Sequence, residues 1–134
     1  KTVVDFGTGT GVLAILAEKL GAASVLAIDN DDWSVDNARE NIQVNGCTRI
    51  TVEKADELPT GQSFDVILAT INLNVILNSL PAILAAAHAQ TSILLSGFLQ
   101  TDEVQLFRAL AGAGLLCHNI TQRGEWICVN VKRL

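Results

Sequence analysis

The residues most suited to chemistry open the chain. Asp5-Phe6-Gly7-Thr8-Gly9-Thr10-Gly11 sets a carboxylate two residues ahead of a run with glycine at every second position. Glycines let the backbone take positive φ and let a ligand approach the main chain without meeting a Cβ. A second acid, Asp29, followed by Asn30, comes after the next apolar run, and Asp56 comes after the one beyond, with Glu57 beside it. A hydroxyl and two amides then fall close together in Thr70-Ile71-Asn72-Leu73-Asn74. Such an order suits a nucleotide site: a glycine loop for main-chain contact, Asp29 to accept from both ribose hydroxyls, and Asp56, with Glu57 as its competitor, to accept from an adenine amine; the alternative for both acids is a solvated loop. Thr70 and Asn72 are polar acceptors suited to orienting an incoming amine; the alternative for Asn72 or Asn74 is helix capping.

Asp5 decides which nucleotide is expected. The window Gly9-Thr10-Gly11-Val12-Leu13-Ala14 satisfies the dinucleotide pattern G-x-G-x-x-A. In that pattern the ligand's pyrophosphate lies over the glycines, and a fixed carboxylate just before them would repel it. S-adenosylmethionine has no phosphate, and its α-ammonium and sulfonium are cationic. A carboxylate at the strand end favours it. The alternative role for Asp5, tying down the loop through backbone N–H groups, is compatible with the same ligand.

These residues need a scaffold that brings strand ends to one edge. The apolar run before Asp5 reads as a strand, and 12–20 carries apolar residues around most of a helix, with Gly21 as its stop. Ser24 to Ile28 reads as a buried parallel strand ending at Asp29. A helix is expected over 32–45, capped by Asp31 or Asp32, with Val35, Ala38 and Ile42 on one face and Trp33 in its first turn, read as a core or rim aromatic with a cover over the adenine as the alternative. Strands follow over 49–53 and 64–69. A helix over 75–88 is expected to kink or restart at Pro81, and a strand runs over 92–98. Thr101 or Asp102 caps a helix ending at Gly114, and strands over 115–120 and 125–132 form an antiparallel hairpin turning at 122–124. The expected fold is α/β: a doubly wound, Rossmann-like, seven-stranded, mostly parallel sheet with one reversed strand in a C-terminal hairpin.

Composition narrows the class. At 134 residues the chain is one domain, and it enters its first strand directly after Lys1, so it reads as a domain of something longer whose substrate-recognition part lies elsewhere. With 9 Lys and Arg against 14 Asp and Glu and a net charge of −5, direct nucleic-acid binding by this domain is not expected. No window resembles a membrane span or signal segment, so a cytoplasmic protein is expected. Cys47, Cys117 and Cys128 read as buried reduced thiols, and no metal site is expected; His88 and His118 are assigned no chemistry.

Three stretches carry a resemblance to a known family: 5–15 with its glycine loop, Ile67-Leu68-Ala69-Thr70-Ile71-Asn72, and Leu94-Leu95-Ser96-Gly97-Phe98 together with Gly124-Glu125-Trp126. The chain resembles the class I S-adenosylmethionine-dependent methyltransferases, and within them the catalytic domain of the ribosomal protein L11 methyltransferase family. The resemblance implies methylation of amino groups on a ribosomal protein of the large subunit. It implies a cofactor set of Asp5, Gly7, Thr8, Gly9, Gly11, Asp29, Asn30, Asp56 and Thr70, with Thr70 and Asn72 at the reacting end. The family usually carries Asn where this chain has Thr70. Three other readings stay open: a methyltransferase of a small molecule or RNA, a cofactor-binding remnant, and an NAD-dependent oxidoreductase, against which Asp5 counts.

Overall fold

The computed structural model describes residues 1–134. Strand β1 (Thr2–Phe6) leads through the glycine loop into helix α1 (Val12–Lys19), and β2 (Ser24–Asp29) leads into α2 (Asp32–Val44). Next come β3 (Ile50–Lys54), β4 (Phe64–Thr70), α3 (Leu73–Ala85), β5 (Ala87–Leu99), α4 (Glu103–Gly112) and the hairpin of β6 (Leu115–Arg123) and β7 (Trp126–Arg133). A short 3₁₀ turn, Gln100–Asp102, precedes α4. The strands form one seven-stranded sheet in the order β3-β2-β1-β4-β5-β7-β6. Only β7 is reversed, antiparallel to both β5 and β6, as the sequence predicts.

Side chains alternate across the sheet, because successive residues of a strand point to opposite faces. Val4 and Phe6 therefore join Ile67, Ile93, Leu95 and Val129 in the larger core under α3 and α4. Val3 faces the other way, packing with Ala14, Val25 and Ala27 under α1. On that second face the helices leave β4 and β5 partly open. Val66, Leu68 and Leu94 floor an apolar groove of about 480 Å³, walled by Leu13, Leu16 and Leu20.

The strand order reverses between β1 and β4, with β2 and β3 on one side and β5 on the other. In open α/β sheets, ligands bind at the strand carboxyl ends beside such a switch point. Capping agrees with the sequence at two places. Asp31 accepts the Ser34 N–H at 2.9 Å, and Asn72 accepts the Val75 N–H at 3.0 Å to start α3.

Several boundaries differ from expectation. Helix α3 runs through Pro81 as one helix and stops at Ala85, and β5 begins at Ala87 rather than at residue 92. Pro81 is exposed, so the ring that cannot donate sits on the outer side of the helix. The α4 segment ends at Gly112, and Asp102 accepts the Leu99 N–H at 3.0 Å, which ties the 3₁₀ turn rather than capping α4 itself. The three cysteines are free but half-buried rather than buried. Trp33 is 74 % exposed and belongs to no core. No helix is long and apolar enough to cross a membrane.

Candidate functional site

A cavity of about 400 Å³ opens at the carboxyl ends of β1 to β4. It is lined by Phe6, Gly7, Gly9, Asp29, Asn30, Ala55, Asp56, Thr70, Ile71, Asn72 and Val75. Each parallel strand delivers its last residues there, which is why residues far apart in sequence share one wall. Of the residues expected to hold a cofactor, Gly7, Gly9, Asp29, Asn30, Asp56 and Thr70 meet here, joined by Asn72. Asp5, Thr8 and Gly11 do not line the cavity.

The loop between β1 and α1 is built from the backbone outward. Gly7, Gly9 and Gly11 all have positive φ, which L-residues with a Cβ adopt only at a cost. The N–H groups of Gly7 and Thr8 both donate to the Ile28 carbonyl at 2.9 Å, anchoring the loop to the end of β2. Asp29 completes the anchor. Its Oδ2 accepts the Gly9 N–H at 2.9 Å and its Oδ1 accepts the Asp31 N–H at 3.1 Å. Each oxygen keeps a further lone pair for a ligand hydroxyl.

Gly11 packs against α2 and does not line the cavity. A Cβ there would stand 3.3 Å from the Ala38 Cβ of α2, and nearby the Asn41 amide donates to the Thr10 carbonyl at 2.9 Å. Gly9 behaves differently: an added Cβ would meet nothing within 4 Å, and the residue lines the cavity. That open side leaves the main chain approachable by a ligand.

Asp5 lies behind the cavity wall. Strand alternation turns it, like Val3, toward the α1 face, and it is 1 % exposed. Thr8 Oγ1 donates to its Oδ2 at 2.7 Å, while Oδ1 is buried without a partner. Burial pushes its carboxyl up to about 6, the nearby Asp29 charge adds to the rise, and the Thr8 hydroxyl opposes it. With Asp29 and Asp56 on the wall, Asp5 behind it, and no Lys or Arg among the lining residues, the site's formal charge is negative. Such a site favours a cationic ligand and disfavours a pyrophosphate.

At the far end of the cavity, Thr70 Oγ1 lies 3.1 Å from Ser96 Oγ of β5, its partner in the strand register. The Asn72 side-chain oxygen is engaged in the α3 cap, with a second lone pair and the amide nitrogen remaining. Sequence reasoning missed Ser96, Ile71 and Val75. Ser96 carried a signal, a hydroxyl at a strand end beside Thr70; nothing in their residue types set Ile71 and Val75 apart from core residues.

The family model described as ribosomal protein L11 methyltransferase (PrmA) matches residues 1–134. A ribosomal protein L11 methyltransferase of Phocaeicola vulgatus is 40% identical over 131 residues, covering 96% of this chain and 47% of its own length. One of Myxococcus xanthus is 37% identical over 131 residues, covering 98% and 45% respectively. The chain thus spans about half the length of the curated relatives it matches. A crystal structure of ribosomal protein L11 methylase from Lactobacillus delbrueckii subsp. bulgaricus superposes with a TM-score of 0.94 at 34% identity, covering 98% of this chain and 69% of that one. A SAM dependent methyltransferase from Aquifex aeolicus shares the fold, with a TM-score of 0.79 at 20% identity, 99% of this chain and 82% of that chain being covered.

Proposed function

Because the chain belongs to the ribosomal protein L11 methyltransferase family, we propose that it is the cofactor-binding and catalytic part of an S-adenosylmethionine-dependent enzyme that methylates amino groups of ribosomal protein L11. The observation that carries this reading is the composition of the cavity: Asp29 and Asp56 on its wall, Asp5 behind, glycine main chain exposed, and no basic side chain. A phosphate-bearing ligand would meet repulsion there. An adenosyl sulfonium with an α-ammonium would meet attraction.

The residues present fit that cofactor. Asp29 supplies free lone pairs toward ribose hydroxyls, Asp56 toward an exocyclic amine, and Gly7 and Gly9 an approachable backbone. Asn30, next to Asp29 on the same wall, adds a side-chain amide. The buried Asp5 carboxylate, its Oδ2 held by the Thr8 hydroxyl and its Oδ1 without a partner, supplies negative potential beneath the loop rather than lining the cavity.

When bound, S-adenosylmethionine supplies an electrophilic methyl group on a sulfonium, open to displacement in line by a neutral amine. The protein needs no covalent nucleophile for this; its work is alignment. Thr70 Oγ1, held by Ser96, accepts a hydrogen bond from the incoming amine and fixes its direction. Asn72, whose side-chain oxygen is half committed to the α3 cap, adds the remaining lone pair of that oxygen as a second acceptor for the amine N–H. A lysine amine has a reference pKa of about 10.4 and must shed a proton before attack. Thr70 and Asn72 have no basic group to take it, so water at the open mouth accepts it.

The test is transfer of labelled methyl from S-adenosylmethionine to purified L11 by the full-length protein. Label appearing on L11 amino groups supports the reading. Label on RNA or a small molecule but not on L11 overturns its substrate half.

A further inference from the structure

Ile71 is seated between two glycines, Gly7 in the loop after β1 and Gly97 within β5. A Cβ on Gly7 would stand 2.5 Å from Ile71 Cγ2 and 3.0 Å from the Thr70 carbonyl oxygen. A Cβ on Gly97 would stand 2.9 Å from the Ile71 carbonyl oxygen and 3.4 Å from its carbonyl carbon and its nitrogen. Gly97 has φ +97° and falls where the β5–β7 register shifts between Ser96 and Phe98. It is a β-bulge, and bulges re-aim the strand that carries them. The residue before it, Ser96, is the one whose hydroxyl meets Thr70.

We propose that the Ser96-Gly97 bulge of β5 positions the Thr70-Ile71-Asn72 segment against the glycine loop, making Ser96 and Gly97 positioning residues for the acceptor side of the site. The inference rests on the methyl-transfer reading for what the segment does, and on the contacts alone for where it sits. Gly97 leaves room for the Ile71 peptide group, and Ser96 holds the hydroxyl one residue earlier. A Cβ at 97 would press on backbone atoms, with no flexible side-chain end to give way. The segment would move outward, and its contact with Gly7 would open. Thr70 would then shift relative to the loop that holds the cofactor, while Asp29, Asn30 and Asp56 would stay in place.

The experiment compares Gly97→Ala and Ser96→Ala with Gly61→Ala in the full-length protein. Gly61 has φ +73° and nothing within 4 Å of an added Cβ, so its variant isolates the cost of a positive φ. The readouts are methyl transfer to L11, S-adenosylhomocysteine affinity by calorimetry, and amide chemical shifts of residues 70–72. Gly97→Ala is expected to lower kcat on the order of 100-fold, the scale of a misplacement near 1 Å. Its affinity for S-adenosylhomocysteine should stay within about tenfold, the worth of one ordinary hydrogen bond. The amides of Ile71 and Asn72 should shift in Gly97→Ala and stay in place in Gly61→Ala. Ser96→Ala should lower kcat with the KM for S-adenosylmethionine unchanged.

Unshifted amides in Gly97→Ala, or a kcat loss no larger than in Gly61→Ala, would overturn the proposal. So would a loss of S-adenosylhomocysteine binding matching the loss of rate. If the wild-type protein neither binds nor transfers, the methyl-transfer reading fails separately, and the amide shifts still decide the positioning claim.

Discussion

Asp29 Oδ2 accepts the Gly9 backbone N–H at 2.9 Å, so the carboxylate ending β2 and the loop leaving β1 are joined before any ligand arrives. The same side chain holds the Asp31 N–H at the start of α2. Asp29→Ala should therefore weaken adenosyl-ligand binding and loosen the loop together. Hydrogen bonds to a charged group are worth about 1.5–3 kcal/mol each. Calorimetry should show at least a tenfold affinity loss, and hydrogen exchange should show faster exchange at Gly9.

Asp5 gives a pH dependence with a definite sign. Its carboxyl is raised to about 6 in the folded chain, so between the ordinary carboxylate value and 6 the folded state holds a proton that the unfolded state has lost. Stability should fall as pH rises from about 4 to 6, by about 3 kcal/mol as an order of magnitude. Asp5→Asn should flatten that slope in urea melts at several pH values. The variant should be the more stable protein at pH 7 and the weaker binder of a cationic ligand.

Asp65 predicts the opposite slope in a lower window. Its Oδ2 accepts the Thr2 N–H at 2.8 Å and its Oδ1 lies 2.8 Å from His88 Nε2, clamping the starts of β1 and β4 to the start of β5. The Thr2 N–H, with His88 second, holds its carboxyl down to about 2. Its contribution is present above the ordinary value of about 4 and lost as pH falls through about 2. Acid unfolding of Asp65→Asn should lack that component, read by far-UV circular dichroism between pH 4 and 2.

Gly11 predicts a stability effect separate from ligand contact. Ala at 11 adds a Cβ 3.3 Å from Ala38 at φ +84°. A left-handed L-residue costs about 1–2 kcal/mol before any clash. Thermal melts should show a loss of at least that size, whereas Gly9→Ala, in open space, should lose only the conformational part.

What the sequence made legible was local or periodic. The glycine loop, the Asp31 cap, the acid ending β2 and the reversed strand of the closing hairpin each carry their own signature. The α3–β5 boundary did not. Ala85-Ala86-Ala87-His88-Ala89 has high helix propensity, yet Ala87 pairs with Phe64, and Thr91 Oγ1 donates to the Phe64 carbonyl at 2.6 Å. Tertiary pairing overrides propensity there. His88 gave no sign of its partner, because Asp65 lies 23 residues away and meets it only across the sheet. Asp5 was expected to face a ligand from the strand end, and its burial behind the cavity wall was not legible, since its orientation depends on strand alternation beneath α1. The bulge at Gly97 was invisible for the same reason: its purpose lies in a peptide group of another strand's loop.

The proposed function has the negative, glycine-walled cavity hold an adenosyl ligand without phosphate. Its most direct test is a calorimetric titration of the protein with S-adenosylhomocysteine, run beside NAD, with Asp29→Ala as control. S-adenosylhomocysteine alone should bind, and more weakly in the variant. Binding of NAD alone, or of neither, would contradict the proposed function.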